Sequence, residues 1–323
     1  MLFRVVINGF RAMIFKVIFK RASLMTVLVL IVTFGLTSCA RSHVDAGKIS
    51  VVAAESEYGD VAGQIGGGYV SVFSIESNPN VDPHTFEVSP QVASQVGNAQ
   101  VVIVNGAGYD SFMNMLESSS PNSSRFEVNA QKLLGLPDNT QNPHLWYDPN
   151  TMSKVANALV ADYSKLQPNH ASYFRSNYAI FTHSLQIWIK KLADFKSKYP
   201  GTRVASTEPV ANYFLSAAGI INMTPYSLQA NVMNGVDPSP QDVSLQDNLI
   251  AKHEVKILIY NQQVTDPLTS TFISLAKRNG VPVVGFYETM PTPGFTYQSW
   301  MEAELDALVA AVSKNVSTYQ LQP

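Results

Sequence analysis

The sequence predicts an α/β protein with two lobes, and three observations support this fold class. Short apolar runs without polar alternation recur along the chain, as in parallel strands that are buried on both faces. Segments with helical periodicity separate these runs, so strand and helix alternate. A much longer helical segment interrupts this alternation near the middle of the 323-residue chain. We therefore expect two lobes, each a parallel sheet sandwiched between helices, joined by one long rigid helix.

Residues 1–38 are predicted to be an export signal and are set aside from the fold. Five basic residues precede the apolar run at 24–36, which is shorter than the ~20 residues of a membrane-spanning helix. The segment ends in LTSC, residues 36–39, which resembles the lipobox of bacterial lipoproteins. Cys39 is then expected to carry a lipid anchor, and residues 39–47 a flexible tether. The alternative is an uncleaved signal anchor, or a buried thiol that follows an apolar run by chance.

Composition excludes some classes of protein. Cys39 is the only cysteine, so no disulfide within the chain can stabilise an exported fold. Without the signal, 17 basic and 24 acidic residues remain, a formal charge of −7. Such a surface argues against nucleic-acid binding, which relies on Lys and Arg to neutralise phosphates. It is compatible with the attraction of cations.

The pattern of elements divides the remaining chain into three parts. We expect an N-terminal lobe over 48–167, a linking helix over 168–200 and a C-terminal lobe over 201–323. Strands are predicted at 49–54, 70–75, 101–105, 203–206, 255–260 and 281–286, and shorter helices at 89–97, 151–166, 239–253 and 267–279. Apolar residues spaced by three and four between 173 and 195 predict the linking helix, which at 1.5 Å per residue is roughly 45 Å long.

Two histidines in the first half of the chain follow a proline. Pro83-His84 comes after a predicted strand, and Pro143-His144 comes before a predicted helix. Proline fixes its own φ and restricts the residue before it, so each imidazole is presented from a stiffened backbone. That suits a metal ligand, although a single Pro-His pair is more often incidental. Two such pairs in one lobe make metal binding the stronger hypothesis.

Two glutamates in the second half follow predicted strands. Glu208 comes after the strand at 203–206, and Glu288 after the strand at 281–286. The carboxyl ends of parallel strands face one crevice, so both carboxylates are expected to meet His84 and His144 there. Each glutamate taken alone is more often a solvated loop acid or a partner of a helix N-terminus.

Other candidate ligands are weaker. Asp148 or Asp237 would replace Glu288 if that side chain points away from the crevice. The remaining histidines are expected on the surface or in packing contacts. These are His43, His170, His183 and His253.

Several stretches of the chain together carry a family resemblance. They are residues 54–60, 82–84, 105–110, 142–146, 207–209, 237–240, the long helix and Glu288. The chain resembles the metal-binding receptors of ABC importers for zinc and manganese, the cluster A-I solute-binding proteins with the TroA-like fold. The resemblance implies one divalent ion held by residues at four positions. These are His84, His144, Glu208 and Glu288.

The resemblance also implies the setting. A receptor of this family is expected outside the cytoplasmic membrane, as a monomer that performs no catalysis. Anchored to the outer face through the lipid on Cys39, it would pass its ion to a permease driven by a cytoplasmic ATPase. A surface adhesin with a structural metal is one alternative. A secreted metallohydrolase is another, although the chain has no His-Glu-x-x-His helix, no Gly-x-Ser-x-Gly elbow and no P-loop.

Two departures from the family bear on the metal. Zinc receptors of the family often carry a third histidine at the position of Glu208 and a histidine-rich loop, and this chain has neither. The fourth ligand is usually Asp, where this chain has the longer Glu288. Two imidazoles and two carboxylates form a harder set than three imidazoles, which favours Mn²⁺ or Fe²⁺ relative to zinc. Zn²⁺ is still a candidate, because its intrinsic affinity for such sites exceeds that of Mn²⁺.

Overall fold

The computed structural model describes residues 47–83, 86–264, 266–291 and 293–322. The predicted export signal, Cys39, most of the predicted tether and His84 lie outside these residues. Among the described helices, none has the length and apolar character needed to cross a membrane.

The strands of the described residues form two parallel sheets. The first sheet contains β1 (Ile49–Glu55), β2 (Val70–Glu76), β3 (Val101–Val104) and β4 (Phe126–Asn129) in the order β2-β1-β3-β4. The second contains β5 (Arg203–Ser206), β6 (Ile221–Asn222), β7 (Ile257–Asn261) and β8 (Val283–Phe286) in the order β6-β5-β7-β8. Every neighbouring pair within these sheets is parallel. The predicted α/β class with two parallel sheets is confirmed.

Helices flank both sheets, and the longest one connects them. They are α1 (Ser56–Gly66), α2 (Pro90–Asn98), α3 (Phe112–Ser119), α4 (Ala130–Leu134), α5 (Thr151–Leu166), α6 (Ala171–Lys198), α7 (Asn212–Ala217), α8 (Tyr226–Met233), α9 (Pro240–Ala251), α10 (Pro267–Arg278) and α11 (Tyr297–Lys314). The linking helix is therefore α6, with 28 residues. The bounds that the sequence suggests for each lobe stay predictions.

Three helices begin with the same local signal, an N-cap side chain followed by proline. The caps are Ser89 of α2, Ser239 of α9 and Asp266 of α10, and each side-chain oxygen accepts a backbone N–H of the first turn. Proline suits the first helical position because its missing N–H would have no partner within the helix there. These signals explain why the predicted helix starts lie within one residue of the observed ones.

The long helix α6 packs one apolar face against helices of both halves, namely α1 and α5 of the first and α7 and α11 of the second. Its buried residues, Phe174, Phe181, Leu185, Trp188, Leu192 and Phe195, belong to a buried cluster that includes Val51 of β1 and Val204 of β5. Trp188 contacts Phe214 of α7 and Tyr297 of α11, with ring centroids 5.8 Å and 6.2 Å away. Residues from both sheets therefore belong to one continuous hydrophobic core.

Polar contacts between α1 and α11 add to this connection. Asp60 of α1 accepts the backbone N–H of Tyr297 at 2.8 Å, and the side-chain amides of Gln64 and Gln298 bind each other at 2.9 Å. Helix α1 follows the first strand of the first sheet, and α11 follows the last strand of the second sheet. These bonds therefore restrain movement of the N-terminal half of the molecule against the C-terminal half.

Candidate metal centre

His144 lies in a fully buried position between the two halves of the molecule. It is 0% exposed and precedes a short 3-10 turn at Leu145–Tyr147. Its ring packs edge-on against Tyr109 and Trp146, with centroids 5.9 Å and 5.4 Å away. The imidazole is therefore fixed in orientation by packing before any ligand binds.

Asn142 determines which nitrogen of His144 carries the proton. The Asn142 side-chain N–H group donates to the carbonyl of Pro209 at 3.0 Å, so its Oδ1 is directed at the imidazole. Nδ1 of His144 lies 2.7 Å from this oxygen. Because an amide oxygen only accepts, Nδ1 must donate, and in the neutral ring Nε2 is then the nitrogen with the lone pair that a metal needs. Among the described residues, Nε2 has no hydrogen-bond partner.

The two predicted glutamates converge at the end of β7. Glu208 and Glu288, each 1% exposed, follow β5 and β8, and β7 lies between those strands in the sheet. Nδ2 of Asn261, the last residue of β7, donates to Oε2 of Glu208 at 2.9 Å and forms a short hydrogen bond to Oε1 of Glu288. The shared contact with Asn261 agrees with the prediction that these two strand ends face one crevice.

Glu288 also approaches the histidine. Its Oε2 lies 3.7 Å from Nε2 of His144 and accepts a hydrogen bond from the Tyr109 hydroxyl at 2.8 Å. Among the described residues, no group of three or more His, Cys, Asp and Glu side chains is arranged to hold a metal ion. His84 lies outside those residues, so its place in the site stays a prediction.

The loop that leads to His84 nevertheless contacts the glutamate loop. Gln263 donates from Nε2 to the carbonyl of Val81 at 2.9 Å. The Oε1 atom of the same side chain accepts the backbone N–H of Glu288 at 2.6 Å. One glutamine thus connects the chain three residues before His84 to the chain that carries Glu288.

The weaker candidates lie elsewhere. Asp148 accepts the backbone and side-chain N–H groups of Asn150 at 2.8 Å and 2.9 Å, which is the role of a turn residue, and Asp237 is exposed. His183 is exposed, and His170 stacks on Tyr69 with centroids 3.8 Å apart. Glu288, in contrast, lies beside His144, with Oε2 3.7 Å from Nε2.

Sequence reasoning missed four side chains that shape the centre. They are Tyr109, Asn142, Asn261 and Gln263. Tyr109 and Asn142 lie in stretches that carry the family resemblance, and both are next to glycine or proline turns that bring them inward. Asn261 directly follows the buried run Ile257–Tyr260, and a polar residue at the end of such a run is the signal that would have found it.

A buried acid from α1 reaches the same region. Burial raises the pKa of Glu57 to about 8, while backbone N–H groups of Glu57 and Met290 bind its carboxylate and oppose this rise. Glu57 is 0% exposed. Its contact with Met290, two residues after Glu288, joins α1 to the loop after β8.

We expect the metal-free protein to lose thermal stability between about pH 5 and pH 8. Because the pKa of Glu57 rises from 4.5 to about 8 on folding, the folded state holds a proton that the unfolded chain has released. This stabilisation is complete below pH 4.5 and disappears as the pH rises through 8. Melting temperatures across this range measure it. Glu57→Gln keeps a neutral side chain, so its curve should be flatter, and equal slopes for both proteins would contradict the assignment.

Comparison with known proteins gives a consistent picture. Residues 51–311 match the model of the ZnuA family, described as zinc-uptake complex component A, periplasmic. The manganese-binding lipoprotein MntA of Bacillus subtilis is 26% identical over 272 residues, which cover 78% of this chain and 84% of the relative. The manganese ABC transporter substrate-binding lipoprotein PsaA of Streptococcus pneumoniae is 22% identical over 305 residues, which cover 86% and 95%.

Among solved structures, the periplasmic zinc-binding protein TroA of Treponema pallidum superposes with a TM-score of 0.70 at 20% identity. The match covers 82% of this chain and 99% of that one. At this level of identity the likeness shows the fold, and it confirms the TroA-like architecture that the motifs predicted.

Proposed function

This chain belongs to the ZnuA family, and from this premise we propose that it is an extracytoplasmic receptor that binds one divalent transition metal and delivers it to an ABC importer. The relatives described above are named as zinc-binding or manganese-binding proteins, and two of them as lipoproteins. The ion is cargo in this proposal, and the protein performs no catalysis on it.

The main support for this proposal is the arrangement of His144 and Glu288. The buried Nε2 of His144, with its proton placed on Nδ1 by Asn142, faces a Glu288 oxygen 3.7 Å away. Two carboxylates joined at Asn261 and a neutral imidazole offer oxygen and nitrogen donors of the kind that Zn²⁺, Mn²⁺ and Fe²⁺ accept. A dication between them would offset the charge of the two buried carboxylates.

We assign the ligands to four side chains from both halves of the chain. They are His84, His144, Glu208 and Glu288. The contact from Gln263 to Val81 supports the inclusion of His84, because it draws the preceding loop toward Glu288. The set of two nitrogens and two carboxylates leaves both Zn²⁺ and Mn²⁺ as candidates, and Fe²⁺ as a third.

The proposed setting follows from the sequence and the family. Cys39 would carry the lipid that holds the protein at the outer face of the cytoplasmic membrane. Because one lipid-modified residue and contact with a partner both contribute to anchoring, the receptor would stay close to its permease. We propose that a monomer docks on this permease, which a cytoplasmic ATPase drives.

Elemental analysis of the purified protein lacking its signal (residues 40–323) tests the function. We expect about one equivalent of a transition metal per chain, or its uptake on addition of Zn²⁺ or Mn²⁺, followed by displacement of one ion by the other. A protein that is purified without metal and takes up neither ion would contradict the proposal.

Growth of a deletion strain separates transport from the alternatives. A transport receptor predicts poor growth in metal-depleted medium that added metal restores. Normal growth together with lost surface attachment would favour the adhesin. Hydrolysis of peptide or phosphoester substrates that disappears in His144→Ala would favour the metallohydrolase.

A further inference from the structure

Strand β7 ends between the two glutamates, and its last residue is an asparagine. Asn261 is 0% exposed. Its neighbours in the sheet are β5 and β8, the strands that precede Glu208 and Glu288. Asn261 therefore contacts both carboxylates at once.

The hydrogen bonds of Asn261 fix the orientation of its amide. Oδ1 accepts the backbone N–H of Gln263 at 3.0 Å, so the NH₂ group must face the carboxylates. This group has two hydrogens. One is donated to Oε2 of Glu208 and the other to Oε1 of Glu288. Each carboxylate is thus held through one oxygen by the same nitrogen.

The second oxygen of Glu288 is then directed toward the imidazole. With Oε1 bound to Asn261, Oε2 lies 3.7 Å from Nε2 of His144. The backbone of Glu288 is held as well, because its N–H donates to Gln263. Rotation of this carboxylate would break the bond from Asn261 to Oε1 and the bond from the Tyr109 hydroxyl to Oε2, so the amide and the hydroxyl together hold its orientation.

We propose that Asn261 is a positioning residue for metal binding, which holds Glu208 and Glu288 side by side and leaves one oxygen of Glu288 directed toward His144 and the ion. This inference rests on the proposed function. A neutral amide is suited to the task. It reduces the repulsion between two buried carboxylates, whereas a Lys or Arg at this position would also repel a dication. The amide itself does not touch the metal.

Two substitutions test the role of Asn261. Asn261→Leu has similar bulk and no donor, and Asn261→Ser retains one hydroxyl donor. Residues that orient metal ligands typically contribute about 10-fold to 100-fold to metal affinity. We expect Asn261→Leu to bind Zn²⁺ and Mn²⁺ weaker by about that factor, and Asn261→Ser to lie between Asn261→Leu and the wild type. Isothermal titration calorimetry gives the dissociation constant and the stoichiometry separately.

The stoichiometry distinguishes positioning from a purely structural role. A positioning role raises the Kd while the folded protein still binds about one ion per chain. A purely structural role lowers the binding-competent fraction and leaves the Kd unchanged, which would overturn the proposal. Asn279→Leu is the matched control, because the side-chain amide of Asn279, at the end of α10, donates to the local carbonyl of Leu275. It should bind like the wild type.

The remaining outcomes are also decisive. If Asn261→Leu does not fold, Asn261→Ser decides: weaker binding supports the proposal, and wild-type affinity overturns it. Wild-type protein that binds neither ion would instead refute the proposed function itself. Wild-type protein that binds, with both variants equal to it, would refute only the role of Asn261.

Discussion

Replacement of His144 by alanine is expected to weaken Zn²⁺ and Mn²⁺ binding by at least about 100-fold, because loss of a direct ligand should cost more than the ~10-fold to 100-fold that outer residues contribute. The imidazole is 0% exposed, and Asn142 holds its proton on Nδ1. The variant therefore loses a nitrogen donor whose orientation and protonation are already set. Titration calorimetry with each ion measures the change.

His183→Ala is the matched control for this prediction. His183 lies on the exposed face of α6, so the same substitution there should leave the Kd unchanged. The melting temperature of each metal-free variant shows whether folding is affected, since alanine at a buried site also leaves a cavity. If folded His144→Ala binds either ion as tightly as the wild type, His144 is not a ligand.

Trp188→Ala is expected to lower the free energy of unfolding by about 3–5 kcal/mol, the range for large buried aromatics. Trp188 is 0% exposed on α6 and contacts rings from α7 and α11. Removal of the indole opens a cavity where the linking helix meets α7 and α11. The metal-free melting temperature should fall by roughly 6–20 °C, at about 2–4 °C for each kcal/mol.

The neighbouring position on α6 supplies the comparison. Ile187 is 49% exposed, so Ile187→Ala removes an aliphatic side chain from the same helix turn without a buried cavity. We expect its midpoint in urea to change little. Similar destabilisation by both substitutions would show that the packing of Trp188 does not determine the effect.

The fold was predictable where local patterns are strong. Spacing by three and four gave the long helix, and helix α5 begins and ends at the predicted residues 151 and 166. Strand β4 was missed because its sequence, FEVN, is half polar and only partly buried, and β6 because it has only two residues. Their pairing depends on neighbours distant in sequence. Helix α1 was missed because Gly59, Gly63 and Gly66 weaken its helical pattern.

The candidate centre was predictable in part. The Pro143-His144 pair and the carboxylates after two strands indicated the residues that the structure brings together, namely His144, Glu208 and Glu288. The role of Asn261 was not predictable. It depends on the insertion of β7 between β5 and β8, a spatial order that differs from the order along the chain. The tautomer of His144 depends likewise on a contact between Asn142 and the distant Pro209.

A crystal structure of the metal-loaded protein, with the ion located by its anomalous scattering, would show which side chains hold the ion. Imidazoles from the first half of the chain and carboxylates from the second should hold one ion, with His84, His144, Glu208 and Glu288 each about 2.0–2.3 Å from it. An ion bound at other residues, or either carboxylate more than about 4 Å from the ion, would contradict the account.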